Sequence, residues 1–176
     1  MATRSTIALE FADGTVGQVY CHWDGYLSNN GKILLNHYMD PFKVRELIDL
    51  GDISSLGEEI GVKHPFDAPG LYNSPENIAY KEQYGNMTKF YGRDRGEQNV
   101  KARYYRDFDG YKDNHQYEEY EYILRQVNGE AVWYVNQGEG QGYEPLLEAY
   151  IEELREQNDE ESEQELLAKF VDLVKV

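Results

Sequence analysis

Cysteine is almost absent from this sequence: Cys21 stands alone among 176 residues. No disulfide can close within the chain, so an intracellular, reducing compartment is expected. Cationic side chains are also scarce, with 17 Lys and Arg against 33 Asp and Glu and a formal net charge of -16. Such a balance opposes non-specific binding to nucleic acid or to an anionic lipid surface. Long apolar runs are missing too. No window approaches the ~20 apolar residues that span a bilayer, and the opening MATRSTIALEF lacks the basic, apolar and small-residue order of a signal peptide. A cytoplasmic protein is expected, in which the sequon at Asn86 has no glycosylation partner.

Tyrosine is what the chain has in excess, 16 residues, ten of them between positions 72 and 122 beside Arg93, Arg95, Arg103 and Arg106. Tyr with Arg is the pairing favoured at binding surfaces, and Tyr equally suits half-buried strands. Both readings stay open. With 40% hydrophobic residues in 20.5 kDa, the chain can fill one ordinary core, so one domain over residues 1–176 is expected.

Apolar alternation predicts a strand over residues 6–11, a tight turn at DGT (13–15) and a returning strand over 17–23. In VYCHW this places Val19, Cys21 and Trp23 on one face, with Trp23 in the core, and Tyr20 and His22 on the other. DGYLSNNG is expected as a loop. Residues 31–39 read as a helix, and DPFKVRELIDLG as a second, with Asp40 as its cap, Pro41 at its first position and Gly51 as its stop. DISSLGEEIG predicts a further helical turn, and residues 62–86, with three of the five prolines, an irregular stretch. TKFYG and KARYYRDF read as strands joined by the charged turn RDRGEQN. YEYILRQV and EAVWYVNQ flank Asn128-Gly129, the strongest short-range hairpin signal a sequence offers.

After GEGQG, residues Leu146, Leu147, Tyr150, Ile151 and Leu154 recur at helical spacing, and Leu166, Leu167, Phe170, Val171 and Val174 do so after a break near Asn158. From Glu144 to Glu165 ten acidic residues face one Arg, so the outer face of both helices is anionic. The expected fold is therefore α+β: an antiparallel sheet built from hairpins, helices on one face, residues 1–143 as the mixed core and 144–176 as an acidic helical segment.

Candidate chemistry is thin. Cys21 and His22 point to opposite faces of a strand and cannot pair as nucleophile and base. His22 and Asp24 share a face, but a metal site needs three or four ligands, and His37, His64 and His115 show no ligand spacing. DFDGYKDNHQYE places Gly110 fourth, whereas a calcium loop requires glycine sixth. GEGQG departs from the order of a dinucleotide loop, and Glu139 and Glu144 would repel phosphate. In YGRDRGE, two arginines one residue apart on a strand share a face and can grip a phosphate or carboxylate while Tyr91 stacks; Asp94 and Glu97 can equally neutralise them. No catalytic residue, metal or cofactor is assigned.

TRSTIAL, VYCHWDGY, GKILLNHY, LIDLGDISSLG and YGRDRGE, spaced in this order over roughly the first hundred residues, resemble a family of small uncharacterised proteins of bacteriophages and prophages. That family has no assigned reaction. The resemblance implies a cytoplasmic role in a bacterial host, where such accessory proteins redirect or block host machinery, including defence. Three functions remain open. The first, favoured here, is a non-catalytic inhibitor that mimics nucleic acid: Glu148, Glu152, Glu153, Glu156, Asp159, Glu160 and Glu161 occupy the basic surface of a host protein. The second sequesters an anionic, nucleotide-like signal with Arg4, His22, Trp23, Asp24, Tyr26, Tyr91, Arg93 and Arg95. The third is a small hydrolase with His22 as base beside Asp24.

Overall fold

Short strands, several of them stopped by a turn or cap written into the sequence, alternate with short helices in the computed structural model, which describes residues 1–115 and 117–170. β1 (Ser5–Glu10) and β2 (Val16–Cys21) run antiparallel, with Ile7 opposite Val19. Asp13 fixes the turn between them, accepting from Thr15 N at 2.9 Å and Thr15 Oγ1 at 2.6 Å. The expected loop after β2 contains a π-helical turn, Leu27–Gly31, that runs directly into α1 (Lys32–His37). In α2 (Pro41–Leu50) the Asp40 carboxylate accepts from Phe42 N at 2.9 Å. Gly51 ends the helix at φ 87, and a Cβ there would sit 2.4 Å from Val100 O. Only glycine fits that corner.

The middle of the chain departs from expectation. ISS, read as a helical turn, is strand β3 (Ile53–Ser55), because His22 N and Trp23 N donate to Ile53 O and Ser54 O. Part of the proline-rich stretch is regular: Ser74 caps α3 (Pro75–Tyr84), with Asn77 N donating to its hydroxyl at 3.3 Å. β4 (Lys89–Phe90) is short, and α4 (Tyr91–Arg95) takes the place of the expected strand and turn in YGRDRGE. β5 (Arg103–Tyr105) follows, then α5 (Phe108–Asn114), whose cap is Asp107, accepting from Gly110 N at 2.7 Å. The stretch that mimics a calcium loop in composition is a capped helix.

β6 (Tyr120–Val127) and β7 (Glu130–Asn136) are joined by Asn128 and Gly129, whose φ angles of 52 and 83 suit a two-residue turn. β8 (Tyr143–Pro145) leads into α6 (Leu146–Glu156), and Asp159 caps α7 (Glu160–Lys169), accepting from Ser162 N at 3.1 Å. Val171 and Val174, expected on the last helix, lie outside the described residues.

The fold is mixed α/β, with seven α-helices and an eight-stranded sheet among the described residues. Strand order is β4-β3-β2-β1-β6-β7-β8, and β5 also pairs with β2. The sheet is not wholly antiparallel: β1 pairs with β6, and β2 with β3, in parallel. Parallel neighbours need a crossover, which α1 and α2 provide between β2 and β3.

Alternation along the strands gives the sheet two unlike faces. Ile7, Leu9, Val19, Cys21, Tyr122, Leu124, Trp133 and Val135 pack with Leu34, Tyr38, Val44, Leu47 and Ile48 from α1 and α2, and with Leu146, Tyr150 and Leu154 from α6. Each fully buried aliphatic side chain there contributes about 1.5–3 kcal/mol. The opposite face holds a smaller cluster, Ala8, Val16, Ile123 and Tyr111. Tyr111 belongs to α5, so helices cover both faces, not one. No helix among the described residues is long and apolar enough to cross a membrane.

Candidate functional site

The residues proposed from VYCHWDGY divide between the core and the surface. Strand β2 ends at Cys21, and its thiol is buried, accepting from Asn30 Nδ2 at 3.4 Å; burial pushes it up to about 11, which leaves no thiolate to react. Trp23, expected in the core, is 44% exposed, because the strand alternation stops before it and Asp24 turns the chain at φ 55. The edge of its ring meets His22, centroids 4.7 Å apart, while His22 Nδ1 lies 2.7 Å from the Tyr20 hydroxyl. His22 is therefore engaged by two aromatic neighbours. Asp24 and Tyr26 are exposed, and the Asp24 carbonyl accepts from Asn29 Nδ2 at 3.1 Å.

YGRDRGE is used internally. Arg93 donates through Nε to Asp94 Oδ1 at 2.9 Å, and through its terminal nitrogens to Ile60 O and Thr88 O, both at 2.9 Å. The Asp94 carboxylate, with no exposed side-chain surface, also accepts from Phe90 N at 2.8 Å and His64 N at 3.1 Å. Burial raises its pKa, but the Arg93 hydrogen bond and these two backbone donors outweigh that, so the carboxyl is held below its ordinary value. Arg95 is bound to Glu97 Oε2 at 2.7 Å and lies 4.3 Å over the Phe66 ring, which stacks on Tyr91 at 5.6 Å. In the strand expected from sequence both guanidinium groups would have shared one face; in α4 they turn to separate partners. Arg93 is withdrawn from any phosphate grip.

Arg4 sits apart from that pair. It belongs with the second face of the sheet, where its charge acts on Glu118 and Tyr20, while its backbone N–H donates to Glu119 Oε1 at 3.3 Å. This face carries polar residues that sequence reasoning passed over. Glu121, buried, pairs with His115 Nε2 and accepts from the Tyr143 hydroxyl at 2.8 Å. His115 Nδ1 meets the Tyr111 carbonyl. Burial opposes charge on this imidazole, but the hydrogen bond to Glu121 and the carboxylate charge prevail, and its pKa is raised. Thr6 Oγ1, Gln18 Nε2, Glu121 Oε1 and Asn136 Oδ1 are buried with no hydrogen-bond partner among the described residues. The available signal was positional: Thr6, Gln18 and Glu121 interrupt apolar strands at positions whose parity points them to one face.

The acidic residues of the C-terminal helices are unequal. Glu148, Glu152, Glu156, Glu160 and Glu161 are exposed. Asp159 is spent as a helix cap, and Glu153, expected at the surface, is half-buried with its pKa raised by burial and by Glu156. Beside the exposed set runs an apolar groove of about 790 Å³, floored by Leu35, Met39, Trp133, Leu147, Ile151 and Phe170 and edged by Glu130, Glu148 and Glu152. One wall is β7. Strand β8 pairs only with the last three residues of β7, so among the described residues no strand covers residues 130–133 on that side. Its unpaired backbone groups border the groove.

Among the described residues no group of three or more His, Cys, Asp or Glu is placed to hold a metal ion. Comparison with known protein families, with curated proteins and with solved structures returns no match.

Proposed function

We propose that the protein is a non-catalytic accessory factor that binds and inhibits a host protein through the α6–α7 side of the molecule, the host context following from the phage-like motifs. The observation that carries this reading is the groove of about 790 Å³ with an apolar floor, a glutamate rim and a strand edge that no strand among the described residues covers. A basic segment of the partner supplies apolar side chains to the floor, cations to the rim and backbone groups to the edge of β7. Net charge of -16 adds long-range attraction to a nucleic-acid-handling surface.

The alternatives have less support. A nucleotide-sized anion is poorly served by Arg93, which is consumed by Asp94 and three carbonyls. A hydrolase with His22 and Asp24 is less favoured, because no hydrogen bond among the described residues joins the two side chains and His22 Nδ1 meets Tyr20.

The test is binding to the partner recovered from host lysate, measured by titration for the wild type and for a variant with Glu148, Glu152, Glu156 and Glu160 changed to Lys. Affinity should fall at least a hundredfold and the wild-type affinity should weaken steeply with salt. Equal affinity for the two proteins would refute the proposal.

A further inference from the structure

On the sheet face away from the groove lies a second cavity, about 250 Å³, lined by Thr6, Gln18, Tyr20, Arg103 and Glu118. Thr6 is 4% and Gln18 2% exposed, yet Thr6 Oγ1 and Gln18 Nε2 have no hydrogen-bond partner among the described residues. Burying an unpartnered donor costs about 1–3 kcal/mol, a cost that native proteins rarely carry unless something else completes the bond. The two orphans line one cavity, on neighbouring strands, since Thr6 pairs with Tyr20 and Gln18 with Ala8 two residues further along β1.

The ends of the cavity carry opposite charge. Arg103 lies on β5 opposite Gln18, and Asp52 grips its terminal nitrogens at 3.1 and 3.0 Å. That fork leaves three of the five guanidinium N–H groups free of Asp52 while fixing their direction. At the other end Glu118 has no ion-pair partner within 4 Å among the described residues, although Arg4 acts on it at longer range. Tyr20 forms a wall, its hydroxyl pinned by His22. Behind Thr6 stands its register neighbour Glu121, immobilised by His115 and Tyr143. Arg103 and Tyr20 are thus held in place before any ligand arrives.

We propose that this cavity binds a small zwitterion bearing a carboxylate and an amine, the chemistry of a free amino acid. The carboxylate is received by Arg103 and the Gln18 amide, the amine by Glu118 and the Thr6 hydroxyl. The size falls slightly below the ~300–1,000 Å³ usual for drug-sized ligands, which fits a molecule smaller than a nucleotide.

Titrating the full-length protein with each of the twenty free amino acids, by calorimetry and thermal shift, tests this independently of the α6–α7 surface. At least one should bind saturably. Glu118→Gln and Gln18→Leu should each weaken that binding tenfold or more, while Glu152→Lys leaves it unchanged. Thr6→Val, which replaces the orphan hydroxyl by a methyl of the same size, should raise Tm and weaken binding together. Absence of binding by all twenty overturns the proposal, as does undiminished affinity in Glu118→Gln and Thr6→Val.

Discussion

Two of the buried carboxylates, Asp94 and Glu121, are treated differently. Asp94 is saturated: Arg93, Phe90 N and His64 N occupy both of its oxygens. Glu121 uses one oxygen for His115 and Tyr143 and leaves Oε1 without a partner among the described residues. A saturated carboxylate is a fastener. It joins the segment before α3, strand β4 and helix α4 at one point. An unsaturated one, beside the orphan hydroxyl of Thr6, marks a place where folding stopped short of completing its hydrogen bonds.

The largest effect should come from breaking the fastener. Asp94→Ala strands the Arg93 guanidinium and two backbone N–H groups in a buried setting, and removing one partner of a buried pair costs about 3–5 kcal/mol. Urea unfolding should show that loss, and Arg93→Ala should approach it. The wild-type contribution has a sign in pH. Because the folded pKa of Asp94 lies below 3.8, the stabilisation is present above that value and disappears as pH falls through the folded pKa. The acid limb of the unfolding profile should therefore flatten in Asp94→Asn.

The second carboxylate should respond at the opposite limb. His115 stands between two acceptors, Glu121 and the Tyr111 carbonyl, and only the imidazolium donates to both. Its folded pKa is raised above 6.5, so its contribution is complete below the unfolded value and is lost as pH rises through the folded one. Glu121→Gln should cost about 1–3 kcal/mol at mildly acidic pH and progressively less toward alkaline pH. A constant difference across that range would show that His115 is neutral in the fold.

Local features of this fold were readable because they depend on neighbours in sequence. Asp40 with Pro41, and Asn128 with Gly129, carry their own backbone chemistry, and the caps and turn stand where those residues are. The mixed sheet was not readable, since parallel pairing of β1 with β6 depends on partners more than a hundred residues apart. YGRDRGE misled for a related reason. Its donors are satisfied by Ile60 O and Thr88 O, and once those carbonyls are adjacent a helix of five residues serves better than a strand. Trp23 misled because alternation was extended two residues past the end of β2. The polar second face left only isolated interruptions of apolar strands, a signal that gains meaning when strand order puts Thr6 beside Glu121.

A smaller change sharpens the contrast on the second face itself. If Asp94 is a completed bond and Thr6 an incomplete one, substitution by an apolar isostere should act with opposite sign at the two places. Thr6→Val removes an unpartnered hydroxyl without opening space, and should stabilise the protein by about 1 kcal/mol. The rise in Tm would identify the hydroxyl as a strain on the free protein. A loss of stability instead would mean that Thr6 is satisfied, and the distinction between the two carboxylate sites would narrow.

The smallest effect on stability belongs to carboxylates of a third kind, those that are neither completed nor buried. Glu148, Glu152, Glu156 and Glu160 are exposed, and surface substitutions usually change stability by about 0.5 kcal/mol or less, with Glu148 and Glu160 at the upper end because Lys in the first turns of α6 and α7 opposes the helix dipole. Each Glu→Lys change also lowers the net charge of -16 in magnitude, which relieves self-repulsion and offsets lost local contacts. Unfolding curves of Glu152→Lys and Glu156→Lys should thus overlay the wild type, and those of Glu148→Lys and Glu160→Lys should fall only slightly below it. That near-neutrality is what gives the four positions value in a binding experiment: a partner lost on charge reversal is lost from the surface, since the fold beneath has not moved.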